Sequence, residues 1–275
     1  MCVAVACYAH KMAVASQLHA MPSFLHRLTT RVRTRRANRQ LGGALAFVAG
    51  AVNAGGFLAV QRYTSHMTGV VSSIADDLVL GQAALAMAGV SALLAFIGGA
   101  ATTAVLINWA RRRQMHGEFA LSLMLEAVLL LIFGVMGANL ELFIDVFVPS
   151  TVLLLCFIMG LQNAIVTKIS QAEIRTTHMT GVITDLGIEL GRLAYWNRTH
   201  EANARHFVRA NRDKLKIHGA ILALFFIGGL VGALAFKRVG FSATVPIAAL
   251  LMAMAAPPLW RDLRSPSAVG EEPAS

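Results

Sequence analysis

The sequence predicts an all-α polytopic membrane protein: six transmembrane helices in two inverted three-helix repeats, each repeat carrying an extra polar HMTG helix. Three observations predict it. Of 275 residues, 56% are hydrophobic and only 14% charged, about half the charge of a soluble domain, where roughly 25% is usual; the mean hydropathy is +0.63. Runs without Asp, Glu, Lys or Arg recur at the length of about 20 residues that a helix needs to cross hydrocarbon. The tetrapeptide HMTG occurs twice, at His66–Gly69 and His178–Gly181, inside a longer internal repeat.

Residues 1–40 form a basic arm with Arg27, Arg31, Arg33, Arg35, Arg36 and Arg39. Its charge follows the apolar stretch instead of preceding it, and Lys11, His10 and His19 interrupt any hydrophobic region, so it does not read as a signal peptide. Met12 and Met21 are alternative starts. The first repeat occupies 41–148, with spans at 40–61, 84–108 and 119–138. The second of these comes from a longer uncharged run at 78–110, which is either one tilted helix or a helix broken near Gly81. Glu126 alone interrupts the third, where pairing with Asn or backbone inside the bundle is the favoured reading. The second repeat occupies 149–262, with spans at 146–167, 217–236 and 239–260 and a basic insertion at 192–216. Residues 263–275 read as a disordered tail.

The net charge of +10 comes from 24 Lys and Arg against 14 Asp and Glu. With six spans and a cytoplasmic N-terminus, the arm, Arg111–Arg113, the 192–216 insertion, Arg261 and Arg264 all fall on one side, leaving Arg62, Lys237 and Arg238 opposite. That is a positive-inside asymmetry, and it makes the charge a signal of orientation rather than a nucleic-acid footprint. Trp109, Tyr195, Trp196 and Trp260 fall near the same interface, where amphipathic rings prefer to sit. The chain is expected to cross the membrane several times, with both termini in the cytoplasm. Cys2, Cys7 and Cys156 have neither the number nor the spacing for a disulfide framework or a metal site.

Phe47–Leu58 aligns with Phe157–Lys168, pairing Gly50 with Gly160 and Asn53 with Asn163; Ser65–Val70 then matches Thr177–Val182, and FIGG recurs at Phe96–Gly99 and Phe226–Gly229. Three matches in one order make two homologous halves. Three spans per half reverse the second half relative to the first, as in many secondary transporters, so the HMTG segments approach the bilayer from opposite faces. The segment after each HMTG reads as a helix too polar for an ordinary span. Asp185 and Glu189 lie about two and three turns after His178, on its face of the helix. Ser73 and Asp77 follow His66 in the same way, with Asp76 alongside.

With RTTHMTGVITDLGIELGR at Arg175–Arg192 and FVAGAVNAGGFLAV at Phe47–Val60, the chain closely resembles the bacterial YoaK family, the domain-of-unknown-function 1275 membrane proteins, over about residues 41 to 262. Val70 stands where many relatives carry Asn after the first HMTG. The resemblance implies a polytopic inner-membrane protein and no particular activity.

Two readings of the HMTG pair stand. In one, Ser65 and Thr177 cap the following helices, Gly69 and Gly181 allow close helix packing, and the histidines are polar filler. In the other, helix N-termini present partial positive charge and unpaired donors to a substrate near the midplane. Ionisable groups within a membrane are functional candidates by default, so Asp77, Asp185 and Glu189, partnered by His66 and His178, form a candidate proton or cation path together with Thr68 and Thr180. Asn53 and Asn163 read as interhelical hydrogen-bonding groups or as direct ligand contacts. The FIGG glycines read as close-packing faces. No GxSxG, HExxH or Walker loop occurs, so no enzyme activity, metal or cofactor is expected. The expected function is transport or facilitated passage of a small solute or ion, with proton coupling through the histidine and acid stripe. The alternative is a membrane sensor or assembly protein whose basic 192–216 insertion docks a cytoplasmic partner or anionic lipid. Expected partners are the lipid bilayer and the solute, with no nucleic acid; a homo-oligomer is compatible with the same reading.

Overall fold

The computed structural model describes residues 35–115, 117–139, 144–169, 179–195 and 208–264. They form α1 (Arg35–Val60), α2 (Met67–Val79), α3 (Ala83–Arg112), α4 (Ala120–Ala138), α5 (Ile144–Ile169), α6 (Met179–Ala194), α7 (Arg212–Val239), a 3-10 turn (Gly240–Ala243) and α8 (Thr244–Arg264). The described chain is helical throughout. Five stretches are long and apolar enough to cross a membrane: Arg39–Val60, Ala83–Arg112, Ala120–Ala138, Phe147–Lys168 and Arg212–Arg264. The sequence suggests six separate spans; the last two fall into one stretch of 53 residues because only the 3-10 turn separates α7 from α8.

The run at 78–110 is broken, not continuous. α2 ends at Val79, and Gly81 takes φ +71°, a conformation that costs a side-chain-bearing residue far more than glycine. α3 then starts at Ala83, and α2 packs against it.

The main pairings are α1 with α7, α3 with α5 and α4 with α8; α6 packs on α7 as α2 does on α3. Glycines set how closely the first two pairs approach. On α1 and α7, a Cβ at Gly50 would strike the Phe225 carbonyl oxygen, and one at Gly228 would strike the carbonyl of Phe47. On α3 and α5, Gly99 stands against the Phe157 carbonyl and Gly160 against that of Phe96. Backbone thus meets backbone at both crossings, the approach that small residues permit between helices in lipid. The register differs by one residue from the FIGG match: Gly99 corresponds in its contacts to Gly228, not Gly229, and Phe96 to Phe225, not Phe226. The Thr103 hydroxyl adds a hydrogen bond across the second crossing, donating to the Leu161 carbonyl at 3.0 Å.

α4 meets the end of α7 and the 3-10 turn that leads into α8 through an aromatic corner. Phe133 and Phe236 each pack edge-on against Phe241, with centroids 5.7 and 6.0 Å away, and Gly137 makes room for the Phe241 ring. The fully buried large side chains come chiefly from α1, α4 and α5, among them Leu45, Leu130, Phe133, Leu155 and Ile158. α3 and α7 instead expose Leu94, Ile97, Val105, Phe226, Leu230 and Leu234. Helices apolar on every side suit a hydrocarbon solvent. Glu126 is fully buried on α4, and neither carboxylate oxygen has a hydrogen-bond partner among the described residues, which do not make the pairing expected for it inside the bundle.

At one end, the Arg111 guanidinium pairs with Glu118 at 2.6 Å, and the Gly117 N–H donates to Asp262 at 3.1 Å. Arg113 and Arg264 lie over the rings of Trp109 and Trp260. The ends of α3 and α8 and the start of α4 are therefore tied together where charge and aromatic rings coincide.

Candidate functional site

A cavity of about 560 Å³ opens among α1, α2, α3, α5, α6 and α7. α1 contributes Asn53 and α5 contributes Asn163; α3 contributes Phe96 and α7 contributes Phe225. The first HMTG segment brings His66, Met67 and Thr68, and the second brings Met179 and Thr180. Tyr63 and Ser65 complete the wall. The two FxxG crossings place the phenylalanines here, because the same turns that carry Gly99 and Gly228 hold Phe96 and Phe225. Tyr63 is held by stacking on Phe57, with centroids 4.7 Å apart.

The first HMTG has a local logic. His66 is the N-cap of α2 and makes no side-chain cap bond. Its ring lies over the first turn, where a Cβ at Gly69 would come within 2.5 Å of Nδ1. Glycine at the fourth motif position therefore accommodates the histidine ring of its own turn, rather than a neighbouring helix as expected. Ser65 does not cap α2 either; its hydroxyl donates to the Asn53 Oδ1 at 2.9 Å and ties the approach to α2 onto α1. The Thr68 and Gly69 N–H groups have no acceptor among the described residues, so this helix start carries orphan donors and partial positive charge. His178 and Thr177 lie outside the described residues.

Among the described residues, no Asp, Glu, Lys or Arg lines the cavity. The described wall offers two carboxamides, hydroxyls, the His66 imidazole and three aromatic rings. Of the residues singled out in the sequence, Asn53, Asn163, His66, Thr68 and Thr180 share this cavity, and Asp77, Asp185 and Glu189 do not line it. Asp77 is half-buried on α2, and Ser73 returns its hydroxyl to the Gly69 carbonyl at 2.9 Å. Asp185 is exposed and faces the buried His218 Nε2 of α7 at 3.7 Å, a histidine the sequence reading passed over. Among the described residues, no three His, Cys, Asp or Glu side chains gather as a metal set would.

Glu189 is buried and fully engaged. It accepts from the Arg192 guanidinium at 2.9 Å and from the Asn211 backbone N–H at 2.7 Å, joining the end of α6 to the start of α7. Hydrogen bonds to a charged group contribute about 1.5–3 kcal/mol each when buried, and the half-exposed Arg192 reduces its share. Glu189→Ala is therefore expected to cost about 2 kcal/mol, read as a lower melting temperature in detergent; an unchanged Tm would contradict the clasp.

Phe96, Phe225, Tyr63 and Ser65 were not singled out as site residues. The FIGG repeat marked the right turns, but the literal match points to the exposed Phe226 instead of Phe225. No curated protein and no solved structure matches the chain. A family model described as "Protein of unknown function (DUF1275)" matches residues 41–256, most of the helical body. The chain that builds this helical membrane body and its two-sided cavity belongs to the DUF1275 family.

Proposed function

We propose that the protein is a transporter or facilitator that passes a small polar solute through the cavity between its two halves. One observation carries the reading: corresponding residues of the two repeats, Asn53 with Asn163, Thr68 with Thr180 and Phe96 with Phe225, line a single cavity. The helix pairings support the same symmetry. Exchanging the halves turns α1 on α7 into α5 on α3, maps α4 on α8 onto itself, and turns α2 on α3 into α6 on α7. With α7 and α8 as separate crossings, each half has three spans, an odd number that inverts the second half. The basic side then faces the cytoplasm of a bacterial inner membrane. A wall of carboxamides, hydroxyls and helix-start amides suits a solute recognised by hydrogen bonds.

Uptake into proteoliposomes across a panel of small polar metabolites and ions tests this. The expected result is flux of at least one solute that empty liposomes lack. Asp77→Asn and Asp185→Asn separate passage through the cavity from coupling through the acid stripe. Flux within about twofold of wild type is expected for both, because neither side chain reaches the cavity wall. Loss of a pH-dependent component in either variant would instead place the stripe on the path.

A further inference from the structure

A second cavity, of about 810 Å³, lies between the end of α6 and the start of α7 and belongs to neither the solute path nor the helix crossings. Arg192, Arg209 and Arg212 line it, and Asp213 is the only acid among the described lining residues. Glu189 neutralises Arg192, whereas Arg209 and Arg212 have no carboxylate partner among the described residues. The backbone here is set: the Asn211 side chain caps α7 by accepting from the Asp213 and Lys214 N–H groups, both at 3.1 Å, and its own N–H is held by Glu189. Two uncompensated guanidinium groups therefore flank a fixed turn. Guanidinium is the side chain best matched to phosphate, which it grips with paired N–H donors.

The place selects the source of that phosphate. Arg212 begins a stretch apolar enough to cross a membrane. The rim carries Leu193 and Tyr195, and Leu190 precedes them on α6; all three are exposed. A basic recess opening beside exposed leucines and a tyrosine has the two-part chemistry of a phospholipid: an anionic head for the arginines and acyl chains for the apolar rim. We infer that this recess is a binding site for an anionic phospholipid headgroup, with Arg209 and Arg212 as its phosphate ligands. The inference does not depend on what crosses the central cavity.

The test uses the full-length protein in neutral detergent, titrated with phosphatidylglycerol, phosphatidylcholine or inorganic phosphate while thermal unfolding is followed. Wild type is expected to be stabilised by phosphatidylglycerol alone. The Arg209→Gln/Arg212→Gln variant is expected to bind it at least about tenfold more weakly, while Lys237→Gln/Arg238→Gln, which removes the same charge from the last turn of α7, keeps wild-type affinity. If the double variant fails to give a monodisperse peak on gel filtration, Arg209→Gln and Arg212→Gln singly decide, each expected to weaken binding about threefold. Equal stabilisation by phosphatidylcholine, equal loss in the Lys237/Arg238 control, or undiminished affinity in the arginine variants would overturn the site. Stabilisation by inorganic phosphate as strong as by phosphatidylglycerol would overturn the lipid as its occupant.

Discussion

Gly160→Val is expected to disrupt the protein more than any other single substitution considered. The added Cβ would land on the Phe96 carbonyl oxygen and close to its carbonyl carbon and Cα. A side chain can rotate away from such a clash, but a helix backbone cannot, so α3 and α5 must separate. Separation strips the packing of Gly99 on Phe157 and stretches the Thr103 hydrogen bond to Leu161 as well. Overpacking in a well-packed core costs about 1–3 kcal/mol and sometimes more, and the upper end is expected here. Melting in detergent measures it, with Gly219→Ala as the reference. Nothing lies within 4 Å of a Cβ at Gly219, so alanine there should be neutral or stabilising by up to about 1 kcal/mol through helix propensity. Similar melting temperatures for the two variants would mean that α3 and α5 do not cross on these glycines.

Asn163→Leu is expected to lower solute flux at least tenfold while leaving the fold intact. Leucine matches the branching of asparagine, heavy atom for heavy atom, and removes a carboxamide from the cavity wall. The Asn163 side chain has no hydrogen-bond partner within the protein among the described residues, so the substitution breaks no internal bond. A solute that depends on that carboxamide loses a hydrogen bond in a partly dehydrated site, which discriminates by about 1.5–3 kcal/mol, more than tenfold in rate or affinity. Asn53→Leu is a less clean test because it also orphans the Ser65 hydroxyl. Uptake by Asn163→Leu at the wild-type rate would move the path away from this wall.

The membrane body was legible in the sequence because hydrophobic length and charge asymmetry are properties of composition. α4, for example, begins and ends within a residue of the predicted 119–138 span. The glycines that the self-comparison paired, Gly50 and Gly160, both stand where a Cβ would strike the backbone of a neighbouring helix. Where contact depends on rotation about the helix axis, the letters misled: of the adjacent Phe225 and Phe226, one lines the cavity and the other is exposed. The acids show the other limit. Helical periodicity placed Asp185 and Glu189 on one face of α6, but what that face meets is decided by α7, whose Asn211 N–H takes Glu189 and whose His218 faces Asp185. Periodicity along one helix carries no information about the helix packed against it.

The most direct measurement of the central claim places a single cysteine at Thr68 or at Thr180, in a background without Cys2, Cys7 and Cys156, and follows flux of a transported solute before and after reaction with a bulky thiol reagent. The two positions come from opposite halves and share one cavity. If the solute passes there, modification at either position should reduce flux at least tenfold, and excess solute should slow the labelling. Complete labelling of both positions with flux unchanged would contradict a path between the two halves.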